Sequence, residues 1–277
     1  MTSPRIPLAG VLGHPVGHSL SPRLHGHWLA RYRLPGHYLP LEVAPEDLAA
    51  VLAALPRMGF AGCNVTIPHK QAALALAAGA SPRALRIGAA NTLTFLPGGG
   101  FAADNTDGEG FLASLAAGAP GFRPEGATAL VLGAGGAARA VLDALLGAGV
   151  ARLLLANRTP ARAEALRAEF GPAVTAIPWQ EAGAALAGAD LVVNTTSLGM
   201  TGQPPLPLPL DALHAGQVVT DLVYAPLETP LLAGARAAGA TAVDGLGMLL
   251  HQAAPGFERW FGRRPEVDAA LRAAVLA

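Results

Sequence analysis

The stretch "ALVLGAGGAARAVLDALL", residues 129–146, constrains the fold of this chain more than any other. An apolar, β-rich run leads directly into Gly133, Gly135 and Ala138 at the G-x-G-x-x-A spacing, and an Ala/Leu-rich helical run follows at once. Glycine at Gly133 allows a tight strand-to-helix turn, and Gly135 lets backbone approach a pyrophosphate. The helix start then supplies free N–H groups and a positive dipole. The bland alternative is a Gly/Ala-rich turn in a chain that holds 34 glycines. The strand–turn–helix context favours the dinucleotide turn, because the spacing alone is a weak signal and its setting is not.

Cofactor choice is legible at the end of the next strand. There an acid about 20 residues on would bind the ribose hydroxyls of NAD. Here the chain reads "LLLANRTPARAEAL", so the strand ends in Asn157, Arg158 and Thr159, with Arg162 one turn into the next helix. A carboxylate is missing and guanidinium donors are present. That pattern predicts NADP, whose 2′-phosphate Arg can hold bidentately. Thr159 also reads as a helix N-cap before Pro160, and the two arginines as plain surface charges.

At 277 residues the chain is long for one domain, so two are expected. Short β-rich runs alternate with Ala/Leu-rich helical runs throughout, the pattern of an α/β protein. In the first part the strands fall at residues 6–12, 38–43 and 63–67, with helices near 22–32, 45–55 and 69–78. "NTLTFLPGGGFAADN" reads as a hairpin around 97–100, which predicts a mixed sheet. After a helix near 107–115 the strands fall at 128–132, 152–156, 191–194, 218–222 and 241–243. "GQPPLPLPL", residues 202–210, reads as a stiff loop rather than a boundary.

Composition narrows the partners. Formal net charge is zero, with 19 basic and 19 acidic residues and no basic block, so nothing points to nucleic acid or an anionic membrane surface. Arg139 and Asp143 interrupt the most apolar stretch, so no membrane span is expected. "MTSPRIPLAGVLG" lacks the charged start and longer apolar core of a leader, and the lone Cys63 excludes an intrachain disulfide. A cytoplasmic enzyme acting on a small molecule fits. Cys63 itself reads as a small buried hydrophobe.

Lys70, at the end of "GCNVTIPHK", is the only lysine beside eighteen arginines. A guanidinium stays protonated, whereas an ammonium can give up its proton, so Lys70 is either a leftover surface charge or a proton donor and acceptor. In "GHPVGHSLSPRLH", Ser21 reads as an N-cap before Pro22. Ser19 has no such role, and two hydroxyls with a helix start form a cradle for a small carboxylate. Thr106-x-x-Glu109 is a capping box that puts Asp107 in the first turn of a helix. Asp107 serves the helix dipole, orients Lys70, or accepts from a substrate hydroxyl. His25 and His27, two apart, cannot share a helical face, which argues against a metal site among the early histidines. Met200 and Met248 sit in glycine-flanked turns and read equally as core filler or as platforms for a nicotinamide.

Nine blocks in one order, "GHSLSPRLH", "GCNVTIPHK", "GAANTL", "DNTDGEG", "GAGGAARA", "NRT", "NTTSLGM", "DLVYAPLETPLL" and "GLGMLLHQAAPGFERWFG", resemble the shikimate dehydrogenase family nearly end to end. The resemblance implies a mixed-sheet substrate domain, residues 1–104 rejoined by 247–277, and a Rossmann-type, doubly wound NADP domain, residues 105–246, with the site in a cleft. It implies reversible reduction of 3-dehydroshikimate to shikimate by NADPH, in aromatic amino acid biosynthesis. By matching position, Lys70 and Asp107 are the catalytic pair and Ser19 and Ser21 hold the substrate carboxylate. Thr66, Asn91 and Gln252 bind ring hydroxyls or position Lys70, and Tyr224 reaches the substrate. For the cofactor, Gly133, Ala134, Gly135, Gly136 and Ala137 match the phosphate turn, and Asn157, Arg158, Thr159 and Arg162 match the adenosine phosphate. Leu222, Gly245 and Met248 match the nicotinamide side.

Two departures stand out. "HGHW" follows Leu24 where members often carry His-Asn, and "ASPRALRIGAANT" lacks an acid often found before the Gly-Ala-Ala-Asn block, which leaves one cofactor contact open. A quinate or broad-specificity dehydrogenase using NAD is the alternative enzyme, and a non-catalytic NADP-binding sensor the alternative of another class. Asn157-Arg158 argues against the first, and retention of Lys70 and Asp107 against the second. Hydride added to a ketone leaves an alkoxide, and a positioned amine that protonates it contributes roughly 10² to 10⁴ in rate.

Overall fold

The computed structural model describes residues 6–277, so the first five residues of the stretch compared with a leader lie outside the described residues. Its contacts divide the chain into two units. One runs to Thr106 and resumes at Leu250 through Ala277, and the other is Asp107–Leu249.

The first unit contains β1 (Leu8–Gly13), α1 (Ser21–Tyr32), β2 (His37–Glu42), α2 (Leu48–Ala54), β3 (Phe60–Val65), α3 (Lys70–Ala75), β4 (Gly79–Ala80), α4 (Pro82–Ile87), β5 (Thr92–Phe95) and β6 (Phe101–Asp104). The sheet order is β2-β1-β3-β5-β6-β4. β1 pairs parallel with β2 and β3, whereas β5 is antiparallel to both β3 and β6, so the sheet is mixed as expected. The hairpin turn lies where the Pro-Gly run predicts it, with the Leu96 N–H donating to the Gly100 carbonyl at 3.1 Å.

Several local readings differ: β3 begins three residues before the expected 63–67, and the short β4 was not expected. The helix expected over 45–55 is α2 flanked by 3-10 turns at Pro45–Asp47 and Leu55–Met58, since Pro45 and Pro56 set each turn. α4 was not expected, yet Ser81 caps it by accepting from the Ala84 N–H at 3.2 Å with Pro82 behind it. Ser21 is not the cap of α1: the helix begins on it, and Ser19 Oγ accepts the Ser21 N–H at 3.2 Å. The cap position is Leu20, which makes no side-chain cap bond.

The second unit contains α5 (Asp107–Gly118), β7 (Thr128–Leu132), α6 (Gly136–Gly147), β8 (Arg152–Ala156), α7 (Pro160–Phe170), β9 (Val174–Ile177), α8 (Ala182–Ala185), β10 (Leu191–Asn194), β11 (Val218–Asp221), α9 (Pro230–Ala237) and β12 (Thr241–Val243). All six strands are parallel in the order β12-β11-β10-β7-β8-β9. Counted from β7 this is the doubly wound dinucleotide-binding order. Alternate residues of β7 feed opposite cores. Val131 packs with Val141 and Leu145, while Leu130 and Leu132 pack with Val192 and Leu232. β9 is the one strand of this unit that the sequence did not reveal, as β4 is in the first.

Helices α10 (Leu246–Phe261) and α11 (Ala269–Leu276) end the chain, and from Leu250 onward they belong to the first unit. Trp260 Nε1 donates to the Leu93 carbonyl at 3.0 Å. A Cβ on Gly62 would lie 2.1 Å from both of those atoms, so only glycine lets this helix seat against β3 and β5. Cys63 is fully buried beside it, and burial pushes its thiol up, away from nucleophilic use.

Candidate active site

In the first unit the carboxyl ends of β1, β2 and β3 are laced together. The His14 N–H donates to the Ile67 carbonyl at 3.0 Å, Thr66 N–H to Leu12 O at 2.8 Å, and Val43 N–H to Gly13 O at 3.1 Å. The buried His69 ring adds a 2.8 Å contact from Nε2 to Val43 O. These bonds gather half-buried Ser19 and Thr66, buried Ser21, and Lys70, half-buried as the first residue of α3. Ligands of parallel α/β sheets bind at this end.

Lys70 is tied to Asn91 through the backbone: the Ala90 N–H donates to the Lys70 carbonyl at 2.8 Å. Asn91 is itself 1% exposed and fully engaged. Its Oδ1 accepts the Thr106 N–H at 2.8 Å and the Thr92 hydroxyl at 2.9 Å, and its Nδ2 donates to Thr106 Oγ1 and to Gln252 Oε1. Thr106 Oγ1 also donates to the Gln252 carbonyl at 2.8 Å, a role the sequence did not assign it. Behind Asn91, Asn64 Nδ2 donates to the Asn91 carbonyl at 3.1 Å and Asn64 Oδ1 accepts from buried Tyr38 at 2.7 Å. Tyr38 and Asn64 escaped the sequence reading because their partners are distant in the chain.

Next to this network Asp104 receives Arg83 through two nitrogens, Arg259 and the Ser81 hydroxyl. Burial alone would raise its carboxyl, but the two guanidiniums and Ser81 outweigh burial and hold it well below the usual range. It anchors the segment that leads into Thr106.

In the second unit the G-x-G-x-x-A turn lies at the carboxyl end of β7, where the strand order reverses between β7 and β10. Gly133 has φ +105°, and a Cβ there would meet Thr195 Oγ1 at 2.7 Å and Thr196 Cγ2 at 2.8 Å. Gly135, the cap of α6, faces open space: an added Cβ meets nothing within 4 Å. Ala138 is fully buried against the sheet. Ala134, Gly136 and Ala137 complete a turn whose backbone N–H groups open α6. Such a turn fits a pyrophosphate.

Beyond β8, Asn157 Nδ2 donates to the Thr159 carbonyl at 2.9 Å, and Thr159 occupies the cap of α7 without a side-chain cap bond. Arg158 and Arg162 are exposed and have no carboxylate partner among the described residues, whereas Arg139 pairs with Glu169 and Arg167 with Glu164. Two uncommitted guanidiniums fit a phosphate. On the opposite half of the sheet, the Leu222 N–H donates to the Asn194 carbonyl at 3.0 Å. A Cβ on Gly245 would stand 2.3 Å from Leu222 O, so glycine alone allows that approach. Tyr224 is half-buried, and burial raises its phenol; Met248, also half-buried, packs on the sheet core. Met200 is exposed, so it is not core filler. Asp107 is buried at the first position of α5.

Sequence reasoning missed the group behind Leu222 and Tyr224. Asp221 Oδ1 accepts from Asn194 Nδ2 at 2.9 Å and from Val223 N–H at 3.0 Å, and its Oδ2 accepts from Thr229 Oγ1 at 2.7 Å. "NTT" and "DLVYAPLETPLL" contain these residues, but only the β10–β11 pairing brings Asn194 and Asp221 together. Among the described residues no group of three metal-ligating side chains occurs, and no helix is long and apolar enough to cross a membrane.

A doubly wound sheet with a glycine turn at its switch point, joined to a mixed-sheet unit, defines a two-unit dinucleotide-binding α/β protein. Family models narrow the class. Residues 11–93 match the shikimate dehydrogenase substrate binding domain, 116–200 shikimate/quinate 5-dehydrogenase, and 245–275 the shikimate 5′-dehydrogenase C-terminal domain. The shikimate dehydrogenase (NADP(+)) of Cereibacter sphaeroides is 63% identical over 273 residues, covering 99% of this chain and 98% of that protein. The one from Paracoccus denitrificans is 61% identical over 276 residues, covering 100% and 98%. Among solved structures, shikimate 5-dehydrogenase from Thermus thermophilus, in complex with NADP(H) and shikimate, is 41% identical with TM-score 0.87, covering 97% of this chain and 98% of that one. The chain belongs to the shikimate dehydrogenase family.

Proposed function

We propose that this protein reversibly reduces 3-dehydroshikimate to shikimate with NADPH, in aromatic amino acid biosynthesis. The observation that carries the reading is the full-length identity of about 60% to NADP-dependent shikimate dehydrogenases. The first unit is the substrate domain. Ser19 and Ser21 hold the carboxylate, and Thr66, Asn91, Gln252 and Tyr224 take the ring hydroxyls. In the second unit Gly133 to Ala137 hold the pyrophosphate, Asn157 to Arg162 the 2′-phosphate, and Leu222, Gly245 and Met248 the nicotinamide. The nicotinamide, when bound, supplies the hydride. The proton is the protein's part: Lys70 Nζ delivers it to the ketone oxygen as that oxygen becomes an alkoxide, with Asp107 the other member of the catalytic pair. In the reverse direction the neutral amine takes the proton from the alcohol.

Zero net charge and the absence of a basic block support a reading free of nucleic acid. The proposed enzyme acts in the cytoplasm as a monomer or homodimer. The experiment is an absorbance assay of reduced-nicotinamide oxidation with 3-dehydroshikimate, run with NADPH and NADH. Turnover with NADPH well above NADH is expected, and Arg158→Ala with Arg162→Ala should reduce that preference roughly 10- to 100-fold, the worth of a charge-assisted bond. Turnover with quinate and NAD instead would favour the broad-specificity reading; one solved neighbour, 33% identical with TM-score 0.88, is quinate dehydrogenase from Corynebacterium glutamicum in complex with NAD. Cofactor binding without turnover would favour a sensor.

A further inference from the structure

Asp221 is 1% exposed, and three neutral donors hold its carboxylate: the Asn194 amide, the Val223 N–H and the Thr229 hydroxyl. No guanidinium, ammonium or imidazole among the described residues accompanies it. Burial pushes its pKa up while those three bonds oppose the rise. Buried charges in proteins are ordinarily paired, because an unbalanced carboxylate in a low-dielectric interior is costly. Asp221 stands out against Asp104, which is also buried but met by two arginines.

Its place in the fold indicates where a counter-charge enters. Asp221 closes β11 at the carboxyl edge of the parallel sheet, the edge from which such sheets receive ligands, and it immediately precedes Leu222. We infer that the Asp221 carboxylate balances its charge against the oxidised, positively charged nicotinamide ring, so that it tilts the protein's affinity toward NADP+ and away from NADPH. The inference rests on the dinucleotide reading of the second unit. Oxidised and reduced cofactor differ by one charge at the nicotinamide and share their pyrophosphate and 2′-phosphate. The ratio of their dissociation constants therefore cancels the contacts to the shared pyrophosphate and 2′-phosphate.

Asp221 also pinches the 222–228 loop closed through Thr229, which in turn caps α9 by accepting from the Leu232 N–H. A purely mechanical role for Asp221 would act through that bond. Asp221→Asn removes the charge and keeps the shape, whereas Thr229→Val removes the pinch and keeps the charge.

The test is direct titration of the full chain with NADP+ and NADPH separately, near neutral pH and at fixed salt. Asp221→Asn is expected to weaken NADP+ relative to NADPH by roughly tenfold, and Thr229→Val to change both constants by a common factor. A ratio in Asp221→Asn within about twofold of wild type overturns the inference, as does an equal ratio shift in Thr229→Val. Should Asp221→Asn fail to fold, Asp221→Ser is read by the same criterion. Wild-type protein that binds neither form overturns the dinucleotide reading and this inference with it; binding with an unmoved ratio overturns only this inference.

Discussion

Asn91 Nδ2 donates to Gln252 Oε1 at 2.7 Å, joining residues 161 positions apart. The bond exists because α10 returns the chain to the first unit and Trp260 locks it on β3 and β5. One amide thus fixes Gln252 on one side, Thr106 on another and, through Ala90, the backbone of Lys70.

Asn91→Ala removes the acceptor of the buried Thr106 N–H and the donor to Gln252. Leaving such groups unsatisfied costs about 1–3 kcal/mol each, so urea unfolding should show a loss of that order. The KM for 3-dehydroshikimate should rise as well. Gln252→Ala should raise KM with a smaller loss of stability, because Gln252 is half-buried and water can replace it.

Gly135 and Gly245 should respond differently to one added methyl. Gly135 has φ −100° and ψ −168°, backbone that alanine adopts, and its Cβ would touch nothing in the protein. Gly135→Ala should therefore cost at most about 1 kcal/mol of stability, as an N-cap change, yet weaken NADPH binding about tenfold or more by occupying space meant for pyrophosphate. Gly245→Ala collides with Leu222 backbone and should lose stability and affinity together. Thermal unfolding beside cofactor titration separates the two outcomes.

His25 sets an acid limit. It stacks on Tyr38 at 3.8 Å, within 6 Å of Trp28, Phe257 and Trp260, and neither ring nitrogen has a partner among the described residues. Burial lowers its pKa from 6.5 to about 3. Between those values the unfolded chain takes up a proton that the folded chain refuses, so stability falls with pH by up to about 1.4 kcal/mol per unit. His25→Phe should flatten this limb and be more stable than wild type at pH near 5. A limb of unchanged slope in the variant would assign the acid sensitivity elsewhere.

The second unit was largely legible in the sequence, because its central strands are continuous apolar runs bounded by turn residues. β7, β8, β10 and β12 fall at the expected residues. β9 escaped because it is a half-exposed edge strand with Pro172 and Pro178 close to its ends. In the first unit, "SPRALR" carried a cap signal that a short helix needs, and α4 was still passed over. The cap read for Ser21 failed because the helix starts on Ser21 itself, whose N–H is taken by the Ser19 hydroxyl two residues upstream. Asp104, Asp221 and Asn64 could not be found from sequence, since each is defined by partners brought in by strand pairing or by the returning helix.

The proton step depends on Lys70, and single-turnover and steady-state kinetics of Lys70→Ala test it most directly. The account predicts a kcat lowered by roughly 10² to 10⁴ with KM for 3-dehydroshikimate changed by less than about threefold, and Lys70→Arg impaired almost as much. A Lys70→Ala enzyme that keeps its kcat while KM rises would contradict it and leave Lys70 a binding residue.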